Sequence, residues 1–117
     1  MFSTSLAKGG LMLTLIVAYL RASVGAEFLD RLDPVWFTRV NPVTMRMFHQ
    51  GLCVGGQLCG EYFLARKRFG LAGELEKKLG FVESWSLLGW VDYSKLNWAW
   101  KRQIYRRRQI AESPTLL

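Results

Sequence analysis

The apolar residues of this chain are concentrated in two blocks, and this segregation constrains the fold more than any other feature. The blocks cover residues 6–26 and 43–65, and most charged residues lie outside them. A soluble domain would distribute its apolar residues through amphipathic elements, whereas about 20 consecutive apolar residues can cross the hydrocarbon of a bilayer. We therefore predict two transmembrane helices in a chain of 117 residues, which has room for at most one ordinary domain.

The second block is predicted to be one continuous helix over residues 43–65. An Asn-Pro pair precedes it and three cations follow it, and these are typical helix start and stop residues. Glycine costs a water-exposed helix about 1 kcal/mol against alanine, but in a membrane it lets a second helix approach closely. We therefore expect helix–helix contacts at the glycines of two GxxxG frames, which are Gly51, Gly55, Gly56 and Gly60.

Polar residues in the second block recur at helical spacing and predict one polar stripe beside the glycines. They are Arg46, His49, Gln50, Gln57 and Glu61. Because a lipid-facing stripe would be expensive, we expect other protein to bury it. His49 is interpreted as a structural hydrogen bonder rather than a proton relay. Glu61 is interpreted as a boundary ion pair with Arg66 rather than a proton-path carboxylate.

The first block has the pattern of a secretory signal, with Lys8 before an apolar core from Leu11 to Leu20 and the small residues Val24, Gly25 and Ala26 at its end. We expect it instead to be retained as an anchor helix of about 20 residues, which spans roughly 30 Å. Arg21 lies near the end of this span. It can snorkel to the headgroups or pair inside an assembly, and snorkelling is the favoured interpretation.

Charges outside the two blocks predict the topology. Lys8 precedes the first span, the connector 27–40 is slightly acidic, and a cationic run at 66–68 follows the second span. The positive-inside rule then places both termini on the same, positive side. The predicted fold class is all-α: a two-span transmembrane helical hairpin over residues 1–80, followed by an amphipathic interfacial helix and a basic extended tail over residues 81–117.

The C-terminal segments are predicted to lie at a surface. A short charged helix is expected within 69–80, and residues 81–100 are expected to form an amphipathic helix at the membrane interface or on a partner. The tail after it is expected to meet anionic headgroups or an acidic protein surface, and nucleic acid is the less favoured partner. The residues expected at the headgroups or interface are Arg21, Arg66, Lys67, Arg68, Trp98 and Trp100.

No constellation in the sequence carries catalytic chemistry. Cys53 and Cys59 would point to different sides of a helix and are interpreted as packing residues. His49 and Cys53 have i, i+4 spacing, but two ligands are too few for zinc. We expect no enzyme, no metal site, no cofactor of its own and no small-molecule substrate. The expected partners are other membrane subunits of a large complex and anionic lipid, with bound phospholipid such as cardiolipin allowed.

Residues 51–73, GLCVGGQLCGEYFLARKRFGLAG, resemble the membrane helix of mitochondrial ATP synthase subunit g. That helix carries a GxxxG frame, Gly-Glu, two apolar residues, a small residue, paired cations and a further apolar-Gly segment. The matching positions here are Gly56, Gly60, Glu61, Tyr62, Phe63, Ala65, Arg66, Lys67 and Gly70. The chain departs from that pattern by an extra residue, Leu64, by the length of the segment 74–117, and by an additional N-terminal span.

The resemblance implies a non-catalytic accessory subunit of the membrane sector of mitochondrial ATP synthase, multi-pass in the inner membrane with both termini in the matrix. In that family the glycine face pairs with subunit e and supports dimerisation and membrane shaping. Two alternatives stay open. One is an accessory subunit of a respiratory electron-transfer complex of the NADH dehydrogenase type, and the other is a small transporter or import-channel component.

Overall fold

One long helix, α1, covers Phe2–Leu32 and contributes to both the core and a protruding end of the protein. The computed structural model describes the backbone of residues 2–113 and the side chains of residues 11–113. The helix ends before Asp33-Pro34, because a proline disfavours helical backbone in the residue before it. The helix predicted in the first block is therefore present, and it continues through the first part of the predicted connector.

Among the described residues, the elements between α1 and the last helix are short. They are a 3₁₀ turn at Trp36–Arg39, helices α2 at Val54–Cys59, α3 at Tyr62–Phe69 and α4 at Glu74–Lys78, and strands β1 at Ser84–Ser86 and β2 at Gly89–Val91. The last helix, α5, covers Tyr93–Glu112. The charged helix expected within 69–80 is confirmed as α4. The Lys8 side chain and the tail beyond Ser113, which entered the sequence predictions, lie outside the described residues.

The core forms where α5 packs in parallel on residues 18–29 of α1. Tyr19 meets Trp98 and Asp30 meets Arg107, so the two helices run in the same direction. On α1, the buried apolar side chains share one face and are Ala18, Ala22, Ala26 and Leu29. On α5, the buried residues are Leu96, Ala99, Trp100, Gln103 and Ile104. The small side chains of α1 let its backbone approach α5, whose larger side chains fill the space between the helices.

The prediction of a transmembrane helix over residues 43–65 is wrong, and so is the prediction of a two-span hairpin. This segment forms turns up to Cys53, and the two short helices that follow are separated at Gly60. Gly60 has a φ of 96°, a value that glycine adopts readily and other residues do not, so the helix breaks there. Asn41 also caps a turn rather than a helix, because its side-chain oxygen accepts the Val43 amide at 2.9 Å.

Two glycines of this segment allow the chain to fold back on itself. A Cβ on Gly56 would collide with the Gln50 carbonyl oxygen, and a Cβ on Gly55 would lie 2.9 Å from the Ala65 methyl. The Tyr62 amide donates to the same Gln50 carbonyl at 2.8 Å, which ties the start of α3 to the turn before α2. The close approach that the GxxxG frames indicated is therefore made here within one chain.

The predicted amphipathic helix over residues 81–100 and the extended basic tail are also wrong. Residues 84–91 form an antiparallel hairpin in which Trp85 pairs with Trp90, so the chain is not all-α. The Ser-Trp-Ser run fits a strand, whose successive side chains point to opposite faces. Helix α5 then includes most of the basic tail. It begins at Asp92, whose carboxylate accepts the Lys95 amide at 3.0 Å as an N-cap.

We expect Gly25→Ala to destabilise the fold by about 1–3 kcal/mol, the usual cost of overpacking a core. A Cβ at Gly25 would collide with the Leu79 carbonyl oxygen and lie 2.8 Å from the Trp100 ring. This clash outweighs the roughly 1 kcal/mol that alanine gains over glycine in a helix. Thermal unfolding in detergent, followed by circular dichroism, measures the change. Val24→Ala on the exposed side of α1 is the control, and equal midpoints for the two variants would contradict the packing.

The N-cap of α5 predicts a pH-dependent contribution to stability. Burial opposes ionisation of Asp92, but the Lys95 amide and the Ser94 hydroxyl hold the pKa of its carboxyl below the usual value. Stability from a lowered pKa is present above the unfolded pKa of about 3.9 and is lost as the pH falls through the folded pKa. Asp92→Ala should therefore cost about 1 kcal/mol near neutral pH and progressively less in acid. Asp92→Asn should cost less, because it keeps the acceptor. Urea unfolding across this pH range tests both, and equal losses for the two variants would contradict the cap.

Candidate membrane-facing surface

The N-terminal part of α1 extends beyond α5 and exposes large apolar side chains. In the part of the chain with described side chains, Leu11–Leu32 meets the length and hydropathy criteria for a membrane span, with 22 residues and a mean hydropathy of 1.5. It is about 33 Å long, but its residues 18–29 pack on α5, so only the N-terminal part of α1 is free to enter a bilayer. Only 28% of its apolar window is buried, whereas the core helix of a soluble protein is mostly buried. In residues 11–20, the large apolar side chains that are 44–62% exposed are Leu11, Met12, Leu13, Ile16 and Leu20.

The β-hairpin lies along α1 and directs its turn towards the N-terminal end of that helix. At the base of the hairpin, the Arg21 guanidinium donates to the Ser84 hydroxyl at 2.6 Å and to the Trp85 carbonyl at 3.2 Å. Near the turn, a Cβ on Gly89 would lie 3.0 Å from the Thr14 methyl. Thr14 lies about 10 Å nearer the helix N-terminus than Arg21 does, so the hairpin runs in that direction.

The hairpin adds its own apolar side chains to this end of the molecule. Trp85 is 73% exposed and the Leu87 side chain is fully exposed. The rings of Trp85 and Trp90 meet with centroids 5.2 Å apart. A clustered apolar surface of this kind marks contact with a membrane or with another protein. We call it the apolar end, and its residues are Leu11, Met12, Leu13, Ile16, Leu20, Trp85, Leu87, Leu88 and Trp90.

Two arginines of α5 are bound within the fold. Arg107 donates to both carboxylate oxygens of Asp30, with distances of 2.8 and 3.0 Å. Arg108 donates to the Val40 carbonyl at 2.7 Å and to the Phe37 carbonyl at 3.3 Å. Bidentate arginine–carboxylate pairs are among the stronger polar contacts in proteins. These cations therefore hold α5 to α1 and to the 3₁₀ turn. Only some of the basic residues of the predicted tail remain available to a partner.

A groove of about 370 Å³ lies between α1 and α5, beside the apolar end. Its lining residues are Tyr19, Arg102, Tyr105, Arg106 and Gln109. The Tyr19 ring meets the Trp98 ring at 6.2 Å, and the Arg102 guanidinium lies 5.3 Å from the Trp98 ring centroid. Aromatic and cationic side chains next to an apolar helix are typical of the headgroup region of a membrane protein.

The aromatic and basic residues predicted at the interface have different positions in the structure. Trp98 borders the groove and is 39% exposed. Trp100 is fully buried, and its indole N–H donates to the Gly80 carbonyl at 2.7 Å, so its predicted place at an interface is wrong. Arg21 is half-buried, and its bonds to the hairpin correspond to the pairing alternative, here within the same chain.

The cationic run 66–68 ends a helix, but a short one. Arg66, Lys67 and Arg68 lie in the last turn of α3, which has eight residues. Arg66 pairs with Glu76 at 3.1 Å rather than with Glu61, which stands at the N-cap of α3 without a side-chain cap. Because the second span is absent, this run does not mark where a helix leaves a membrane.

The predicted polar stripe does not form, because the helix that defined it is absent. Its members are exposed or partly exposed and are Arg46, His49, Gln50, Gln57 and Glu61. Gln57 bonds both backbone groups of Asn41, at 2.6 and 3.2 Å. His49 Nδ1 accepts the Gly51 amide at 3.1 Å, which agrees with its interpretation as a structural hydrogen bonder. The side chains of His49 and Gln57 therefore stabilise the turns of residues 41–57.

A second cavity, of about 270 Å³, contains titratable groups that stay protonated at neutral pH. The Tyr62 hydroxyl donates to Glu76 at 2.8 Å, and burial together with that carboxylate raises the pKa of Tyr62 far above its usual value. Burial also raises the pKa of the Cys53 thiol. Tyr62 thereby ties α3 to α4. Among residues 11–113, no group of three His, Cys, Asp or Glu side chains lies close enough to hold a metal ion.

Sequence reasoning missed the hairpin and with it half of the apolar end. The signal that could have found it is the alternation of small and large residues on both sides of Leu87-Leu88-Gly89, a short run with a glycine in its turn. The charged residues Glu83, Asp92 and Lys95, which interrupt an apolar pattern in 81–100, favoured an amphipathic helix instead.

Comparison with known proteins does not place this chain in a family. No protein-family model, no curated protein and no solved structure matches it.

In bilayers of acyl-brominated lipid, we expect Trp85 and Trp90 to account for most of the quenching of tryptophan fluorescence. Both lie in the apolar end, whereas Trp36 and Trp100 are fully buried in the protein. The double variant Trp85→Phe/Trp90→Phe should lose most of the quenchable emission, and Trp98→Phe should lose a smaller part. Emission in unbrominated lipid is the reference. Equal quenching of the double variant and the unchanged chain would contradict the placement of the hairpin.

Proposed function

We propose that this protein is a non-catalytic accessory subunit anchored in a membrane by the N-terminal part of α1. The observation that carries the proposal is the apolar end. It is formed by a helix and a hairpin turn that lie far apart in the sequence. Both point towards the same end of the molecule. Leaving such side chains in water costs about 1.5–3 kcal/mol each, so a bilayer or neighbouring subunits are needed to cover them.

The side chains around residue 20 of α1 suggest where the membrane surface lies. Tyr19 and Trp98 form an aromatic pair at this level, as in the aromatic belts of membrane proteins. Arg21 lies just beyond this level and donates hydrogen bonds to the hairpin. The Asp30–Arg107 pair lies further into the domain. The helix before this level is about 27 Å long, enough to cross most of the bilayer hydrocarbon.

The core supports retention of α1 as an anchor rather than its removal as a signal. Cleavage after Ala26 would remove Ala18 and Ala22, which are fully buried, together with Gly25. It would leave the buried ring of Trp100 without the part of its surroundings that Gly25 provides. The folded domain therefore needs these residues of α1 as part of its core.

The inner mitochondrial membrane is the proposed location, with the membrane sector of ATP synthase as the first assembly and an NADH dehydrogenase-type complex as the second. These assignments rest on the basic, aromatic composition and on the sequence resemblance. The multi-pass arrangement and the pairing through a continuous glycine helix are not retained, because that helix is absent. The apolar face of α1 replaces it as the contact with neighbouring subunits. The net charge of +7 favours the matrix side for the domain.

We expect Leu13→Glu/Ile16→Glu to release the chain from membranes into the carbonate-soluble fraction. A charge costs about 2.5–3.5 kcal/mol at the middle of a span on insertion scales and less near its ends, so Leu13→Glu should contribute more than Ile16→Glu. The matched control is Val35→Glu/Val43→Glu, which replaces two exposed apolar residues outside the apolar end and should stay in the pellet. Release of both variants, or of neither, would contradict anchoring by α1.

The same variants test the assembly on native gels. The unchanged chain should migrate with the ATP-hydrolysing band, or with the NADH-oxidising band if the second assignment holds. Leu13→Glu/Ile16→Glu should leave that band while the remaining complex keeps its turnover. Migration with neither band would contradict the subunit assignment and leave the anchoring result unaffected.

A further inference from the structure

The groove between α1 and α5 presents two arginines without an acidic partner. Arg102 and Arg106 lie one turn apart on α5, and no carboxylate of the described residues lies within 4.0 Å of either guanidinium. Their neighbours Arg107 and Arg108, in contrast, are bound to Asp30 and to backbone carbonyls. The groove therefore concentrates positive charge that the fold does not neutralise, and this favours an anion.

The other groups of the groove suit the oxygens of a phosphate. Tyr105 and Gln109, whose side chains carry a hydroxyl and an amide, line it together with the two arginines. The ring of Trp98 lies under the Arg102 guanidinium and restricts its position. Arg106 also borders a neighbouring groove that contains Glu27, without an ion pair to it. Guanidinium groups present several donors in a plane and bind phosphate in a bidentate manner.

An apolar track leads from the groove to the apolar end. On α1, Tyr19, Ile16 and Met12 are three and four residues apart and share a face. Ile16 is 50% and Met12 62% exposed. On α5, Trp98 precedes Arg102 by one turn and meets the Tyr19 ring. Because the helices are parallel, the lining changes from cations to aromatic rings to aliphatic side chains in the direction of their N-termini.

We propose that this groove binds the headgroup of an anionic phospholipid. Arg102 and Arg106 hold the phosphate, Tyr19 and Trp98 pack against the glycerol and ester region, and Ile16 contacts an acyl chain. This inference rests on the proposed membrane anchoring, and it adds the class of lipid and the residues that select it.

The apolar track favours a lipid over a soluble phosphate. A free phosphate would use the arginines but would gain nothing from the aromatic and aliphatic side chains beside them. A phospholipid uses both parts of the surface, and the apolar area that its chains cover contributes free energy in addition to the ionic contacts.

The test uses the full chain in phosphatidylcholine bilayers with a trace of spin-labelled lipid. Electron spin resonance measures the fraction of label that the protein immobilises. We expect spin-labelled phosphatidylglycerol to associate at least about tenfold more strongly than spin-labelled phosphatidylcholine, because each basic residue near a membrane surface favours anionic lipid. Arg102→Gln/Arg106→Gln should reduce this ratio to near one, and Arg102→Lys/Arg106→Lys should keep much of it.

The control Lys67→Gln/Arg68→Gln removes two exposed cations at the end of α3 and should leave the ratio unchanged. A ratio near one for the unchanged chain, or an equal loss in the control, overturns the lipid site. Displacement of phosphatidylglycerol by inorganic phosphate, but not by sodium chloride of equal ionic strength, assigns the groove to free phosphate and also overturns it. Bromolipid quenching on parallel samples without spin label separates the two proposals: quenching with a ratio of one rejects the lipid site alone, and no quenching rejects the membrane anchoring.

Discussion

The packing of Trp100 is the interaction on which the rest of the structure depends. Its ring meets Trp36 edge-on at 5.9 Å and Phe81 at 5.2 Å, and its indole N–H donates to the Gly80 carbonyl at 2.7 Å. Gly25 provides the space on α1 that the ring occupies. One side chain thus joins α5 to α1, to the 3₁₀ turn and to the segment before the hairpin. Since these contacts use only the C-terminal part of α1, the N-terminal part is left with its apolar surface uncovered.

The parts of the fold that could be predicted from the sequence are those set by local signals. The length of α1 and the turn at Asp33-Pro34 follow from a long apolar run and a proline, and α4 follows from a charged run between glycines. The segment around Gly60 could not be predicted in the same way. A GxxxG frame is compatible both with close contact between two helices and with a chain that reverses its direction. The contact between Gln50 and Tyr62 decides between them, and it exists only in the folded molecule.

The candidate site depends still more on tertiary structure. Arg106 and Arg107 are neighbours in the sequence, yet one is exposed in a groove and the other is bound to Asp30. Trp98 and Trp100 differ in the same way. Successive residues of an α-helix point about 100° apart, so the assignment of each side chain depends on which face of α5 meets α1. Composition could predict a basic and aromatic surface, but not its members.

The continuity of α1 has a mechanical consequence. Flexible linkers let many surface domains turn independently of their anchors. Here a single helix, Phe2–Leu32, passes from the apolar end into the core, and Arg21 fastens the hairpin to its side. Because nothing between the proposed anchor and the domain can bend freely, a tilt of the helix in a bilayer would become an equal tilt of the whole domain. Bilayer thickness sets the tilt of such helices in part, so it would also set the angle at which α5 faces its surroundings.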